Sequence, residues 1–360
     1  MYSKFLCLLA TLLLFWGCAK DECDPPTPKT SILLDSDMVE AFDDGVTFMM
    51  LLGSENVEVK GLTTVTGNSW AQEGLTYGIR LGELCGGDNL TYIAGASRPM
   101  REGRLDELSV QVNANPGHDA GYLGALSHEE VDDWERFYEE RYGRKPRLHP
   151  SSKDAPEYIA QQILAAPGQV TLVVIGPCTN IAKALVAHPE IAAKAKEIIY
   201  MGGAVYCEGN TTPYAEMNFL FDPEAAAICL RAPFPKQTLV SLDVCNTVKM
   251  DSRRFMGFYN SIRSEEIKSL FRNNYTYRRF EADPSVLQLV WDVISGAVAI
   301  DPAIITEYRD VRLDVDDDPA SPTYGKVYET SLPSCRTVRV PIAINQEKLW
   351  GMVSATLSKL

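Results

Sequence analysis

Histidine is scarce in this chain of 360 residues, with only His118, His128, His149 and His188. None of the nine cysteines stands in CxxC spacing. Those two shortages argue against a His/Cys zinc centre and against a disulfide scaffold. A cluster of Lys and Arg is also missing, and with a formal net charge of -14 the chain lacks the basic face that binding a nucleic-acid backbone requires. No internal repeat, low-complexity tract or Pro/Ser-rich boundary interrupts residues 31–360, which are read as one domain.

The N-terminus differs in kind. MYSKFLCLLATLLLFWGCAK combines a lysine, an apolar run of signal-peptide length and a small residue before Cys18, which reads as an export signal over residues 1–17. The run is too short for a membrane span. Gly17-Cys18 resembles a bacterial lipobox, so Cys18 is expected to be lipidated, with residues 18–30 as a tether stiffened by Pro25, Pro26 and Pro28. Lys20-Asp21-Glu22 resembles an acidic surface-export tag and reads equally well as a solvated tether. The expected product is an exported lipoprotein, periplasmic or cell-surface, held to the membrane by lipid alone. Cys7, Cys18 and Cys23 belong to these segments. Cys85, Cys178, Cys207, Cys229, Cys245 and Cys335 read as free thiols in a large core.

Within the domain the informative stretch is ILLDSDMVEAFDDGVTFMMLL, residues 32–52. An apolar strand stops on Asp35 and Asp37, and a helix starts after Asp43 and Asp44. Four acids thus share one strand-to-helix turn, at the end of the strand where open α/β sheets bind ligands. Clustered carboxylates repel one another, which a hard divalent cation with oxygen ligands would offset. Asp is also favoured beside a helix N-terminus, so a cap and polar loop explain the same residues.

Downstream, strand-like segments at residues 57–65, 92–96, 169–175, 197–201 and 237–242 alternate with helix-like ones at 72–84, 154–165, 181–187 and 223–230. This is the rhythm of a mostly parallel, open twisted sheet flanked by helices, an α/β fold with a Rossmann-like core. Residues 100–150 break it with charged and aromatic material, expected as an irregular lid or a surface decoration. A strongly apolar helix is expected from Val286 to Ile300, carrying Trp291 and Asp292 inside it.

Taken in order, several strand ends together resemble the inosine-uridine nucleoside hydrolase family from about Ile32 to the C-terminus. The carriers are Asp35-Ser36-Asp37 with Asp43-Asp44, Thr64-Val65-Thr66-Gly67-Asn68, Ala94-Gly95-Ala96-Ser97-Arg98-Pro99 and Gly176-Pro177-Cys178-Thr179-Asn180. Met201-Gly202-Gly203-Ala204, Gly209-Asn210, Glu216-Met217-Asn218 and Asp222-Pro223-Glu224 complete the set. The step of six residues from Asp37 to Asp43 matches the longer-loop bacterial variant, with Met38-Val39-Glu40-Ala41-Phe42 in place of a Gly-containing loop.

The resemblance implies calcium-dependent hydrolysis of the N-glycosidic bond of a ribonucleoside, serving nucleoside salvage. It implies a calcium ion on Asp37, Asp44, Asp292 and the carbonyl of Ile175, with Asp37 as general base. It also implies a ribose held by Asp43, Asn68, Asn210, Glu216 and Asn218, leaving Asp35 to support the turn. Many pyrimidine-accepting members have His before the last metal Asp, whereas this chain has Trp291, which can stack on a purine or simply pack in the core. A purine preference is the resulting expectation. His118, Tyr275 and Tyr277 are expected in lid regions. Family members are often dimers or tetramers. Two other readings fit parts of the chain: a haloacid-dehalogenase-like phosphatase, which leaves Asn210, Glu216 and Asn218 without a role, and a surface protein that binds ribosides or cleaves another N-ribosyl compound.

Overall fold

The computed structural model describes residues 29–360 except Phe42, His118 and Ala120. Cys18 and the signal and tether segments up to residue 28 lie outside the described residues. The strands are β1 (Thr30–Ser36), β2 (Val57–Thr64), β3 (Thr91–Ala94), β4 (Val170–Val174), β5 (Glu197–Met201), β6 (Gln237–Val240), β7 (Lys249–Met250), β8 (Gln288–Leu289), β9 (Ile305–Val315), β10 (Val327–Glu329) and β11 (Thr337–Ile344). Nine of them form one sheet in the order β10-β9-β11-β6-β5-β4-β1-β2-β3, while β7 and β8 pair separately. From β3 to β6 every pairing is parallel, and β9 runs antiparallel to β10 and β11.

Strand alternation sends side chains to two covered faces. Ile32, Leu34 and Val173 join the helices Asp44–Gly53, Ala71–Leu84, Asp292–Ile300 and Gln346–Leu357 on one side. Leu33, Leu172 and Val174 join the helices Ala155–Ala165, Thr179–Ala187 and Pro223–Arg231 on the other. Because β1 lies between β2 and β4, the chain winds outward in opposite directions from β1. The carboxyl ends of β1 and β4 therefore flank the switch point, the place where an open α/β sheet leaves a crevice.

Two expectations need correction. The apolar helix begins at Asp292, not Val286, and Gln288–Leu289 pairs instead with Lys249–Met250. Apolar composition alone does not tell a short strand from the start of a helix. Residues 100–150 are not irregular throughout: they hold the helices Arg104–Ala114 and Trp134–Tyr142 and the short 3-10 turn Gly124–Ser127. Their polar composition conceals narrow buried stripes, such as Leu108 and Val112. The six described cysteines are free thiols, five of them buried and Cys207 exposed. Among the described residues no helix is long and apolar enough to cross a membrane.

Candidate active site

The floor of the crevice is built where β1 ends. Asp37 is fully buried, and its Oδ2 accepts the backbone N–H of Asn68 at 2.6 Å. Glycine is required on both sides of this carboxylate: a Cβ on Gly67 would overlap Oδ2, and one on Gly176 would lie 2.9 Å from Oδ1. Asp44, in the first turn of its helix, accepts the Ser36 hydroxyl on Oδ1 at 2.6 Å. Asp35 faces away from these two, taking the Asn180 amide at 2.8 Å and the Thr63 hydroxyl on the same oxygen.

Asp43 is the one non-glycine residue with positive φ among those described, at 48°. Such a conformation persists only where the surroundings hold it. Here its carboxylate accepts the N–H of Trp291 at 3.0 Å and of Val293 at 3.2 Å. It thereby satisfies the first donors of the helix that presents Asp292. The Asp43-Asp44 pair thus does both things that Asp does beside helices. One carboxylate caps a distant helix; the other stands in the first turn of its own.

The opposite wall comes from the ends of β4 and β5. Asn218 Nδ2 donates to the carbonyls of Ile175 and Met201, each at 3.2 Å. Glu216 caps the helix Met217–Phe221: Oε1 takes the Asn218 N–H at 2.8 Å, and Oε2 takes those of Gly203 at 2.8 Å and Phe219 at 3.1 Å. Asn210 Oδ1 accepts the Met217 N–H at 3.2 Å. The donor end of Asn218 is therefore spent on the protein, orienting the Ile175 carbonyl.

So many buried acids shift one another. Burial pushes Asp35 and Asp44 up to about 6, and burial with the charge of Asp44 pushes Asp43 up to about 7. Burial brings Glu216 to about 7. Asp37 is raised well above the usual carboxylate range by burial and then by Asp44. Asp292 is raised by burial and then by Asp43, Asp44 and Asp37. The mutual fields place Asp37, Asp43, Asp44 and Asp292 in one electrostatic cluster.

Within it, Oδ1 of Asp37, Oδ2 of Asp44 and Oδ1 of Asp292 are buried without a hydrogen-bond partner. Orphaned carboxylate oxygens are costly, and a hard cation is the partner that suits several at once. Among the described residues no group of three or more His, Cys, Asp or Glu side chains is placed so that it could hold a metal ion as it stands. The fit therefore rests on these three unpartnered oxygens and the Ile175 carbonyl, which has a second lone pair to offer.

Above the floor lies the chain after β3. The N–H of Ala125 donates to the Gly67 carbonyl at 2.9 Å, and the Tyr122 hydroxyl donates to Asn68 Oδ1 at 2.8 Å. Sequence reasoning missed Tyr122; a lone aromatic in a glycine-rich segment was the available signal. The long loop after Asp37 is also held from above. Glu40, nearly buried, accepts Arg141 Nη2 at 2.7 Å and the Tyr142 hydroxyl.

Of the expected lid residues, His118 lies outside the described residues. Tyr275 is exposed, and Tyr277 packs among aromatics, 5.2 Å from Tyr259 between ring centroids. Trp291 is half-buried and precedes the helix instead of lying within it, and its Nε1 is buried without a partner.

The family model described as inosine-uridine preferring nucleoside hydrolase matches residues 32–351. A probable uridine nucleosidase 1 of Oryza sativa subsp. japonica is 28% identical over 200 residues, covering 56% of this chain and 55% of that protein. The chain thus spans little more than half the length of that relative. A pyrimidine-specific ribonucleoside hydrolase, RihA, of Salmonella arizonae is 31% identical over 234 residues, 64% of this chain and 67% of its own. Among solved structures, a plant nucleoside hydrolase superposes with a TM-score of 0.73 at 22% identity, covering 92% of this chain and all of the other, a likeness of fold.

Proposed function

Since the chain belongs to the inosine-uridine preferring nucleoside hydrolase family, we propose that residues 31–360 act as one catalytic domain. Its reaction is hydrolysis of the N-glycosidic bond of ribonucleosides to free base and ribose. The observation that carries this reading is the set of unpartnered carboxylate oxygens on Asp37, Asp44 and Asp292, in a cluster whose field includes Glu216, with Asn68 bonded to Asp37 and Asn210 and Asn218 to the Glu216 turn. A phosphatase would leave that second group idle.

Metal dependence is a property of the family, and we assign calcium from the donor chemistry. Asp37, Asp44, Asp292 and the Ile175 carbonyl are all oxygen donors, as calcium prefers. When bound, the ion would supply Lewis acidity that lowers the pKa of a water. Asp37 would take the proton of the attacking water. The Asn68 N–H on Oδ2 fixes the orientation of this carboxylate, which would hold the ion through Oδ1 and take the proton on a remaining lone pair. The ribose hydroxyls meet Asp43, Asn68, Asn210, the remaining lone pairs of Glu216 and the Asn218 carbonyl oxygen. These groups stabilise positive charge on the ring as the base departs.

Trp291 stands directly before Asp292, where it offers a ring for stacking and no proton for the leaving base. Purine nucleosides, which can be protonated on the ring, are therefore the assigned substrates. The uridine and pyrimidine names of the two relatives mark the opposite outcome. Purified protein should release base and ribose from inosine and guanosine faster than from uridine, and lose the activity with a calcium chelator. Faster turnover of uridine overturns the purine assignment. Phosphate release from p-nitrophenyl phosphate would point to the phosphatase, and tight riboside binding without turnover to a binding protein.

We further propose that Cys18 is lipidated and holds the exported domain to the membrane. Cys18→Ser should abolish fatty-acid labelling and membrane recovery, and unchanged labelling would exclude lipidation at that residue.

A further inference from the structure

The roof contains an aromatic that the reaction above leaves unused. Tyr122 lies between Gly121 and Gly124, both left-handed with φ of 83° and 54°. The loop carrying it is tied to both asparagine-bearing turns. The N–H of Gly117 donates to the Thr211 carbonyl at 2.9 Å, that of Asp119 to the Asn210 carbonyl at 3.1 Å, and that of Ala125 to the Gly67 carbonyl at 2.9 Å. A Cβ on Gly117 or Gly124 would overlap the carbonyl oxygen of Asn210 or Gly67, so the contact is backbone on backbone. This closeness fixes the height of Tyr122 above Asn68.

An asparagine amide has an acceptor end and a donor end, and which end faces a ligand depends on what the other end meets. Asn68 accepts the Tyr122 hydroxyl on Oδ1 at 2.8 Å, and its backbone N–H goes to Asp37. Nδ2 is the end left for a ligand. The phenol is half exposed and, like any tyrosine near neutral pH, keeps its proton for this bond.

We propose that Tyr122 is a positioning residue for the substrate sugar: its hydroxyl turns the Asn68 amide so that the NH2 group faces a ribose hydroxyl, coupling the roof loop to the turn that holds Asp37. The proposal rests on the ribonucleoside hydrolase reading. Its test is a double-mutant cycle in the full chain with Tyr122→Phe, Asn68→Ala and the pair, assayed on inosine with thermal melting as a folding control. Loss of one such hydrogen bond should lower kcat/KM by about tenfold in Tyr122→Phe, at an unchanged Tm. The same change should have no further effect once Asn68 is Ala. An undiminished effect in the Asn68→Ala background, or parental kcat/KM in Tyr122→Phe, overturns it. The cycle is repeated by calorimetry with 1,4-anhydroribitol, a ribose ring with no base to lose. If the parent cleaves no nucleoside, the hydrolase reading fails while binding still decides the role of Tyr122.

Discussion

Asp37 on the floor of the crevice and Glu216 on its wall accept backbone N–H groups, and Asp44 accepts a hydroxyl from the end of its neighbouring strand. Residues 115–145 above them combine a few backbone ties with side-chain contacts reaching down, Tyr122 to Asn68 and Arg141 with Tyr142 to Glu40. Main-chain donors in the turns after the strands and in the first turn of the helix Met217–Phe221 are set by the backbone itself and leave little freedom. Side-chain ties can be exchanged residue by residue without disturbing the sheet. The floor is thus suited to chemistry common to many sequences, and the roof to features particular to this one.

The sharpest way to break that contrast is Asp37→Asn. It removes the base and one charged metal ligand together without altering the fold, so kcat should fall by at least about 10²–10⁴-fold. The metal-free variant should melt no lower than the parent, since a buried charge beside Asp44 is gone. A loss of under tenfold would move the base elsewhere.

Glu40→Gln tests the roof. It weakens charge-assisted bonds from Arg141 and Tyr142 and should cost about 1–3 kcal/mol in denaturant unfolding. Its fall in kcat/KM should be smaller than that of Asp37→Asn. An equal fall would mean that floor and roof act as one unit.

The smallest effect is a pH slope. Burial raises Glu216 from 4.5 to about 7, so the folded state keeps a proton there that the unfolded chain has already released. That contribution is present below 4.5 and is lost as pH rises through about 7. The Tm of the metal-free protein should therefore decline over this window, and decline less in Glu216→Gln. Equal slopes would remove Glu216 as their source.

The strands β1, β4 and β5 were legible because residues buried on both faces write apolar runs, and β2, β3 and β6 through their β-branched and aromatic composition between turn residues. Asp35, Asp37, Asp43 and Asp44 were legible as a group, since four acids at a strand end stand out. The start of the helix at Asp292 was not, because Val286, Leu287 and Leu289 are as apolar as the helix itself. The feature that caps its first turn is the carboxylate of Asp43, about 250 positions earlier in the chain. The strands β9, β10 and β11 and the helix Gln346–Leu357 also went unread. Much of β9 is exposed and charged, without the apolar run that marked the others.

The sequence by itself determined which strand ends carry oxygen donors, and through their order the family and its expected chemistry. Only the tertiary structure decided which atom of each donor is free. Oδ1 of Asp37 is unpartnered because Asn68 takes Oδ2, and the donor end of Asn218 is spent on Ile175 and Met201. It also divided Asp43, which caps a distant helix, from its neighbour Asp44. Each of these assignments depends on a hydrogen-bond partner far away in the chain. Local pattern carries the type of a residue, and distant partners decide which of its atoms remain to meet a ligand.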